Sequence, residues 1–207
     1  MTGQSGSDGS PDARFVVFEG GEGCGKSTQA TLLAERVDAV VTRQPGGTTT
    51  GAALRSILLD PANTHLATRA EALLMAADRA QHAEELIRPT LAAGRHIICD
   101  RYLYSSVAYQ GYGRGLDPEM VRSISAWATG DLWPDLVVLL DVDPDLASQR
   151  LGAERDRFER ADPQFHRRVR DGFLRQAEAD PDRWVIIDGT ASIDDVSAAV
   201  WEAWSRG

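Results

Sequence analysis

Gly20-Gly21-Glu22-Gly23-Cys24-Gly25-Lys26-Ser27, preceded by Arg14–Glu19 (RFVVFE) and followed by a helical pattern over Lys26–Arg36, decides how the rest of the chain is read. The eight residues fit G-x-x-x-x-G-K-[ST] in full, and they lie between a strand and a helix, as a phosphate-binding loop must. The glycines let backbone N–H groups converge on phosphate oxygens, and the helix N-terminus adds a favourable dipole. In such a loop Gly20 to Ser27, with Thr28 after it, contact the triphosphate. Lys26 bridges the β- and γ-phosphates, and the Ser27 hydroxyl sits on Mg²⁺. A chance glycine turn would not also bring the lysine, the hydroxyl and both flanks. The segment therefore predicts a nucleoside triphosphate site with magnesium, and transfer of the terminal phosphoryl group. Cys24 reads as a small residue filling an "x" position; the alternative is a thiol activated by the helix N-terminus.

Outward from the loop, short β-rich runs alternate with longer helical patterns, the rhythm of βαβ units around a parallel sheet. Val40–Arg43 is a second strand, ended by Pro45-Gly46-Gly47, and Leu54–Leu59 carries helical spacing. Ala67–Ala93 reads as one long helix with Pro89 near its C-terminal turn. Arg95–Asp100 (RHIICD), Leu136–Asp141 (LVVLLD) and Trp184–Asp188 (WVIID) are the third, fourth and fifth strands. Near-continuous apolar runs fit strands covered on both faces. The expected fold is therefore α/β: a P-loop NTPase with three α/β/α layers, a five-stranded parallel sheet and a short lid. Residues 150–170 are arginine-dense and poor in aliphatics, and the lid is expected over about 150–161.

Composition bounds the function. The 207 residues are 43% hydrophobic, enough for one compact domain over 14–207 with a small mobile insert. Met1–Ala13, rich in Gly, Ser, Asp and Pro, reads as a disordered tail. Twenty-two basic against 31 acidic residues leave a net charge of -9, which disfavours general nucleic-acid or anionic-membrane binding. Two cysteines, no h-region and no apolar stretch of membrane-spanning length point to a reduced cytoplasmic protein.

Two strands end on an acid, the position that holds magnesium or its waters beside a P-loop. Asp100 precedes Arg101, so a carboxylate and a phosphate-binding cation share one sheet edge. Asp141 precedes Val142-Asp143-Pro144, which resembles a helix N-cap and favours a structural role. No N-K-x-D string is present, which lowers a GTPase reading. A kinase of small phosphorylated acceptors needs a second anion site and extra positive charge closing over the transferring group. Arg55, Arg79 and Arg101 are candidates for the first, and Arg150, Arg155, Arg157 and Arg160 for the second. For each arginine the competing reading is a solvated surface charge, most of all for Arg160.

The chain resembles the thymidylate kinase family in four further motifs. Asp100-Arg101-Tyr102 with Ser105-Ser106-Val107-Ala108-Tyr109-Gln110-Gly111 is similar to DRY…S-x-x-A-Y-Q-G, and Leu73–His82 is similar to the L-L-F-A-A-D-R-A-Q-H helix. Thr42–Thr48 is similar to the T-R-E-P-G-G-T loop, and Asp156-Arg157-Phe158-Glu159 to the lid motif D-R-F-E. The resemblance implies phosphoryl transfer from ATP to dTMP, Mg²⁺ and a homodimer. Carried over by position, Arg101 and Arg55 hold the dTMP phosphate and Arg79 faces the pyrimidine O4. Ser106 and Gln110 line the acceptor pocket, and Tyr109 lies against the sugar and favours deoxyribose. With Glu22 in the P-loop, the chain resembles the form whose catalytic arginines are in the lid. Two positions depart from the pattern. Met75 stands for the phenylalanine that stacks on thymine, and Gln44 for the glutamate of T-R-E-P-G-G-T, which would leave more of any metal role to Asp100. Met75 keeps another pyrimidine deoxynucleotide open as acceptor. A P-loop module that binds ATP without turnover is the reading from another class, disfavoured by the lid arginines.

Overall fold

The computed structural model describes residues 13–152 and 155–206. Five parallel strands form one sheet: β1 (Phe15–Glu19), β2 (Val40–Arg43), β3 (Ile97–Asp100), β4 (Leu136–Asp141) and β5 (Trp184–Asp188), in the order β2-β3-β1-β4-β5. The central strand is in register with both neighbours, Val17 lying opposite Cys99 on β3 and Val137 on β4. Alternate β1 residues feed two separate cores: Phe15 and Val17 on one face, Val16 and Phe18 on the other. That division makes the three expected layers. The connection leaving β1 runs to the β2 side and the one leaving β3 runs to the β4 side, so the crevice beyond the carboxyl ends of β1 and β3 is the topological switch point, where such sheets bind ligands.

Helix α1 (Lys26–Val37) covers one face, with Ala30, Leu33 and Ala34 buried. Helix α2 (Thr49–Leu59) begins earlier than the apolar spacing predicts, because the Thr48 hydroxyl caps it by accepting from Gly51 N at 3.0 Å. The expected single helix over 67–93 is divided. Helix α3 (Thr68–His82) widens into a π-helical turn (Ala83–Ile87) before α4 (Arg88–Ala92). Pro89, second in α4, has no N–H for the carbonyl of Glu85 and crowds it, and the widened turn lies immediately before. Helix α5 (Leu103–Ser106) passes directly into a second π-helical stretch (Val107–Gly113), which carries Tyr109 and Gln110. Helix α6 (Pro118–Thr129) follows, capped by the Asp117 carboxylate.

Past β4 a short helix precedes the arginine-dense stretch 150–170, and a longer one begins within it. Helix α7 (Pro144–Ser148) is capped by Asp143, and α8 (Pro163–Ala179) starts where Asp162 accepts from Phe165 N. Helix α8 buries Phe165, Val169, Phe173 and Ala177, a stripe at i, i+4, i+8 and i+12 carried largely by aromatics, which a count of aliphatics misses. It packs across the π-helical stretch 107–113. The tail expected over Met1–Ala13 lies, except for Ala13, outside the described residues. Helix α9 (Ile193–Arg206) closes the α1 face. Among the described residues, no helix is long and apolar enough to cross a membrane.

Where α8 crosses, the chain at Gly113 has no room for a side chain: a Cβ there would lie 2.7 Å from Phe165 Cε2 and 2.9 Å from Val169 Cγ2. Gly113→Ala is expected to destabilise the fold by about 1–3 kcal/mol, read as a lower urea midpoint with unchanged slope. An unchanged midpoint would show that the contact is not tight.

Candidate functional site

The P-loop curls over the end of β1 and opens into α1. At Gly20, φ is 139° and a Cβ would lie 2.5 Å from the Leu140 carbonyl oxygen, so only glycine fits. Lys26 is buried and its Nζ donates to Gly21 O at 2.6 Å, inside the loop. Cys24 is buried with its Sγ 3.4 Å from that ammonium, which suits a packed filler. Ser27 Oγ donates to Asp100 Oδ2 at 2.5 Å, joining the hydroxyl and the carboxylate expected of a magnesium site. The open groove here is lined by Gly23, Gly25, Lys26, Ser27 and Thr28 on one side, and by Arg55, Asp100 and Arg101 on the other. Asp141 is not free for such work, since Arg170 takes both its oxygens at 2.7 and 2.8 Å.

Arg101 ties the loop to the acceptor side. It follows β3 in a left-handed conformation (φ 70°), which turns its side chain back toward the loop. Its Nη1 donates to Gly20 O at 2.7 Å and Ser105 Oγ at 3.1 Å, and its Nη2 pairs with Glu22 Oε1 at 2.8 Å. Tyr109 Oη donates to the same Glu22 oxygen at 2.8 Å. Burial alone would raise the Glu22 carboxyl, but the Arg101 and Lys26 charges and the Tyr109 hydrogen bond hold it at about 2. Burial likewise opposes the Arg101 charge, and Glu22 more than compensates.

Beside this bridge is a cleft holding about 560 Å³ of empty space, its open mouth included. Arg55, Met75, Arg79, Arg101, Ser106, Tyr109 and Gln110, the residues expected to bind the acceptor, all line it. Arg55 reaches Pro45 O at 2.8 Å, and Met75 is partly buried against the core. Arg79 is no surface charge: it is 2% exposed, with Nε on Gln44 Oε1 (3.1 Å), Nη1 on Ser125 Oγ (3.1 Å) and Nη2 on Ser106 Oγ (2.9 Å). Gln44 also pairs through Nε2 with His82 Nδ1 at 2.8 Å, and His82 Nε2 meets Thr42 Oγ1 at 2.7 Å. Burial, then Arg79, lower His82 to about 4, so the imidazole is neutral near pH 7 and Gln44 belongs to an uncharged chain behind Arg79.

The lid arginines do not converge. Arg155 lines the cavity beside Gly20, Gly21 and Glu22 and donates to Ser148 O at 3.2 Å, while Arg150 reaches Gly189 O at 3.0 Å. Arg160 is exposed, as a solvated charge should be. Arg157, expected to act with the other lid cations, is engaged on the acceptor side instead. Its Nε donates to Leu58 O at 2.8 Å and its Nη1 pairs with the buried Glu71 at 2.5 Å, because that carboxylate offers a stronger partner than solvent.

A family model described as thymidylate kinase matches residues 18–200. A thymidylate kinase of Bifidobacterium longum is 50% identical over 194 residues, spanning 90% of this chain and 94% of its own. One from Deinococcus radiodurans is 47% identical, with 93% and 96% covered. The chain belongs to the thymidylate kinase family. A crystal structure of thymidylate kinase from Ehrlichia chaffeensis superposes with TM-score 0.77 at 32% identity, covering 94% of this chain and 99% of that one.

In this thymidylate kinase family member two buried acids escaped the motif reading. Glu19 ends β1 and is fully buried. Its Oε1 accepts from Tyr102 N (2.9 Å) and Ser105 N (3.2 Å), and its Oε2 from Ser105 Oγ (2.6 Å), so it holds the chain that carries Arg101. Its signal was present: β1 ends on an acid as β3 does. Glu71 is 1% exposed and lies on one face of α3 with Met75 and Arg79, at i, i+4 and i+8.

Burial raises Glu19 to about 7, against the pull of Ser105, Arg101 and Tyr102. A raised carboxyl binds a proton in the folded state before the unfolded one does, so its contribution is full below about pH 4.5 and lost as pH rises through 7. His82 runs the other way, gaining stability as pH rises from about 4 through 6.5. The difference between wild type and Glu19→Gln isolates the first effect. Wild-type stability relative to the variant should fall between pH 5 and about 7.5 in parallel urea titrations. A pH-independent difference would show that Glu19 titrates normally.

Proposed function

We propose that this chain transfers the terminal phosphoryl group of ATP to dTMP, giving dTDP and ADP for dTTP synthesis. One observation carries it beyond the family: the acceptor cleft and the P-loop share a wall, the Glu22–Arg101–Tyr109 bridge, so two phosphate-binding sites meet at one sheet edge. Lys26 and the loop N–H groups take the donor phosphates. Arg55 and Arg101 take the acceptor phosphate, Arg79 and Ser106 present donors to the pyrimidine, and Gln110 and Met75 complete the pocket. Tyr109 fills the place where a 2′-hydroxyl would project.

The donors at Ser27 and Asp100 suit Mg²⁺, a hard cation that takes few protein oxygens beside substrate phosphates. When bound, such an ion neutralises charge on the phosphates. Arg150 and Arg155, in the lid of about 150–161, bring positive charge to the donor side on closure and exclude water. Exposed Leu73, Met120 and Trp127, on the mutually packed α3 and α6, favour pairing with a second copy through these helices. Residues 14–207 act as one domain, and the composition suits the cytoplasm.

Purified protein with ATP, Mg²⁺ and a panel of nucleoside monophosphates tests the assignment by ADP release. The fastest acceptor-dependent release is expected with dTMP; faster release with dUMP or dCMP would reassign the acceptor, with Met75 as the cause. Lys26→Ala should lower kcat by about 100-fold or more. Wild-type turnover in that variant would remove Lys26 from the reaction.

A further inference from the structure

Glu71 has no part in the roles above, yet it is one of the most heavily engaged side chains near the acceptor cleft. From α3 it accepts from Gln110 Nε2 at 2.9 Å and Arg114 Nε at 3.3 Å, and it pairs with Arg157 Nη1 at 2.5 Å. It is 1% exposed, against 26% for Arg114 and 11% for Arg157. Three chain segments therefore meet on one carboxylate: α3, the π-helical stretch 107–113 with the residue after it, and the lid turn. Arg157 fixes the turn a second time on α2, through Leu58 O at 2.8 Å and Leu59 O at 3.1 Å. Between the two arginines lies Phe158, buried at 3%, with Arg157 Cζ 4.6 Å and Arg114 Cζ 5.6 Å from its ring centre. Phe158 in turn sets its ring edge-on to Tyr109 at 5.6 Å, and both line the cleft.

We infer that Glu71 is a positioning residue of the acceptor pocket: through Arg157, Arg114 and Gln110 it fastens the lid's Phe158 against Tyr109 as the wall of the deoxynucleotide site. This rests on the assignment of that cleft to dTMP. The lid is then two parts with different tasks. Its Arg157–Phe158 turn is clamped on the acceptor side, while Arg150 and Arg155 are the cations presented to the donor. Removing the Glu71 charge leaves two guanidinium groups without their anion, Arg157 of them mostly buried, so the turn is released rather than locally rearranged.

The split between KM values tests this, because a merely structural acid would move both substrates together. Glu71→Gln keeps the side-chain shape while removing the charge; measured below its urea midpoint, it should raise the dTMP KM about tenfold and leave the ATP KM and kcat within about twofold. In the Glu71→Gln/Arg157→Gln double variant the dTMP KM should rise no further than in Glu71→Gln alone, since both changes break one contact. An unmoved dTMP KM, equal rises for dTMP and ATP, or additive effects in the double variant would each overturn the inference. Arg79→Gln separates the role of Glu71 from the assignment of the cleft. If it raises the dTMP KM while Glu71→Gln does not, only the role of Glu71 falls; if neither does, the cleft is not the dTMP site.

Discussion

An acid inside a loop built to attract anions needs a cation, and the pairing of Glu22 with Arg101 answers that need. Lys26 is directed at the loop's own carbonyl and Cys24, so Arg101 is the group that balances Glu22 directly. To reach it, Arg101 adopts a left-handed backbone that costs a non-glycine residue on the order of 1 kcal/mol or more. Glu19 holds that turn by three hydrogen bonds from beneath, and Tyr109 completes it from the acceptor side. The same guanidinium thus neutralises the donor loop and faces the acceptor cleft. On the proposed assignment, the dTMP phosphate would meet there a charge already desolvated and oriented, the preorganised condition under which electrostatic stabilisation is largest.

The sheet makes that bridge possible. With β1 central and β3 beside it, the P-loop and the Asp100-Arg101 turn leave adjacent strands at the same end. The crossover helices then distribute the rest. Helices α2 and α3 bring Arg55, Met75 and Arg79 over the cleft, and the π-helical stretch after α5 brings Tyr109 and Gln110 from the other side. A widened turn projects consecutive side chains differently from an α-helix, and here Val107–Gly113 is buried nearly throughout between α6 and α8. The lid turn before α8 closes the assembly, with Arg157 fastened to Glu71 and Arg155 beside Gly20, Gly21 and Glu22.

Much of this is written locally in the chain. Four of the strands were legible as short apolar runs and β2, Val-Val-Thr-Arg, from its β-branched residues before Pro45-Gly46-Gly47, and the P-loop because glycines, lysine and serine fix both conformation and chemistry. The acceptor residues were legible only through motifs, since nothing in the periodicity of Leu73–His82 marks Arg79 as buried; its four partners come from Gln44, Tyr102, Ser106 and Ser125, distant in sequence. Helix α8 was obscured because two phenylalanines supply half of its buried stripe among four arginines. The turning of Arg157 toward Glu71 was invisible for a different reason: a guanidinium goes to the strongest anion within reach, and which anion is within reach is decided by tertiary packing.

Arg101 is held by the P-loop and, on the proposed assignment, serves the acceptor side. Calorimetric titration of wild type and Arg101→Met with dTMP and, separately, with ATP and Mg²⁺ tests it most directly. Loss of dTMP affinity by about tenfold or more, with a smaller loss of ATP affinity from the unpaired Glu22 that Glu22→Gln in the same background restores, is the predicted result. Undiminished dTMP binding, or equal losses for both ligands, would contradict it.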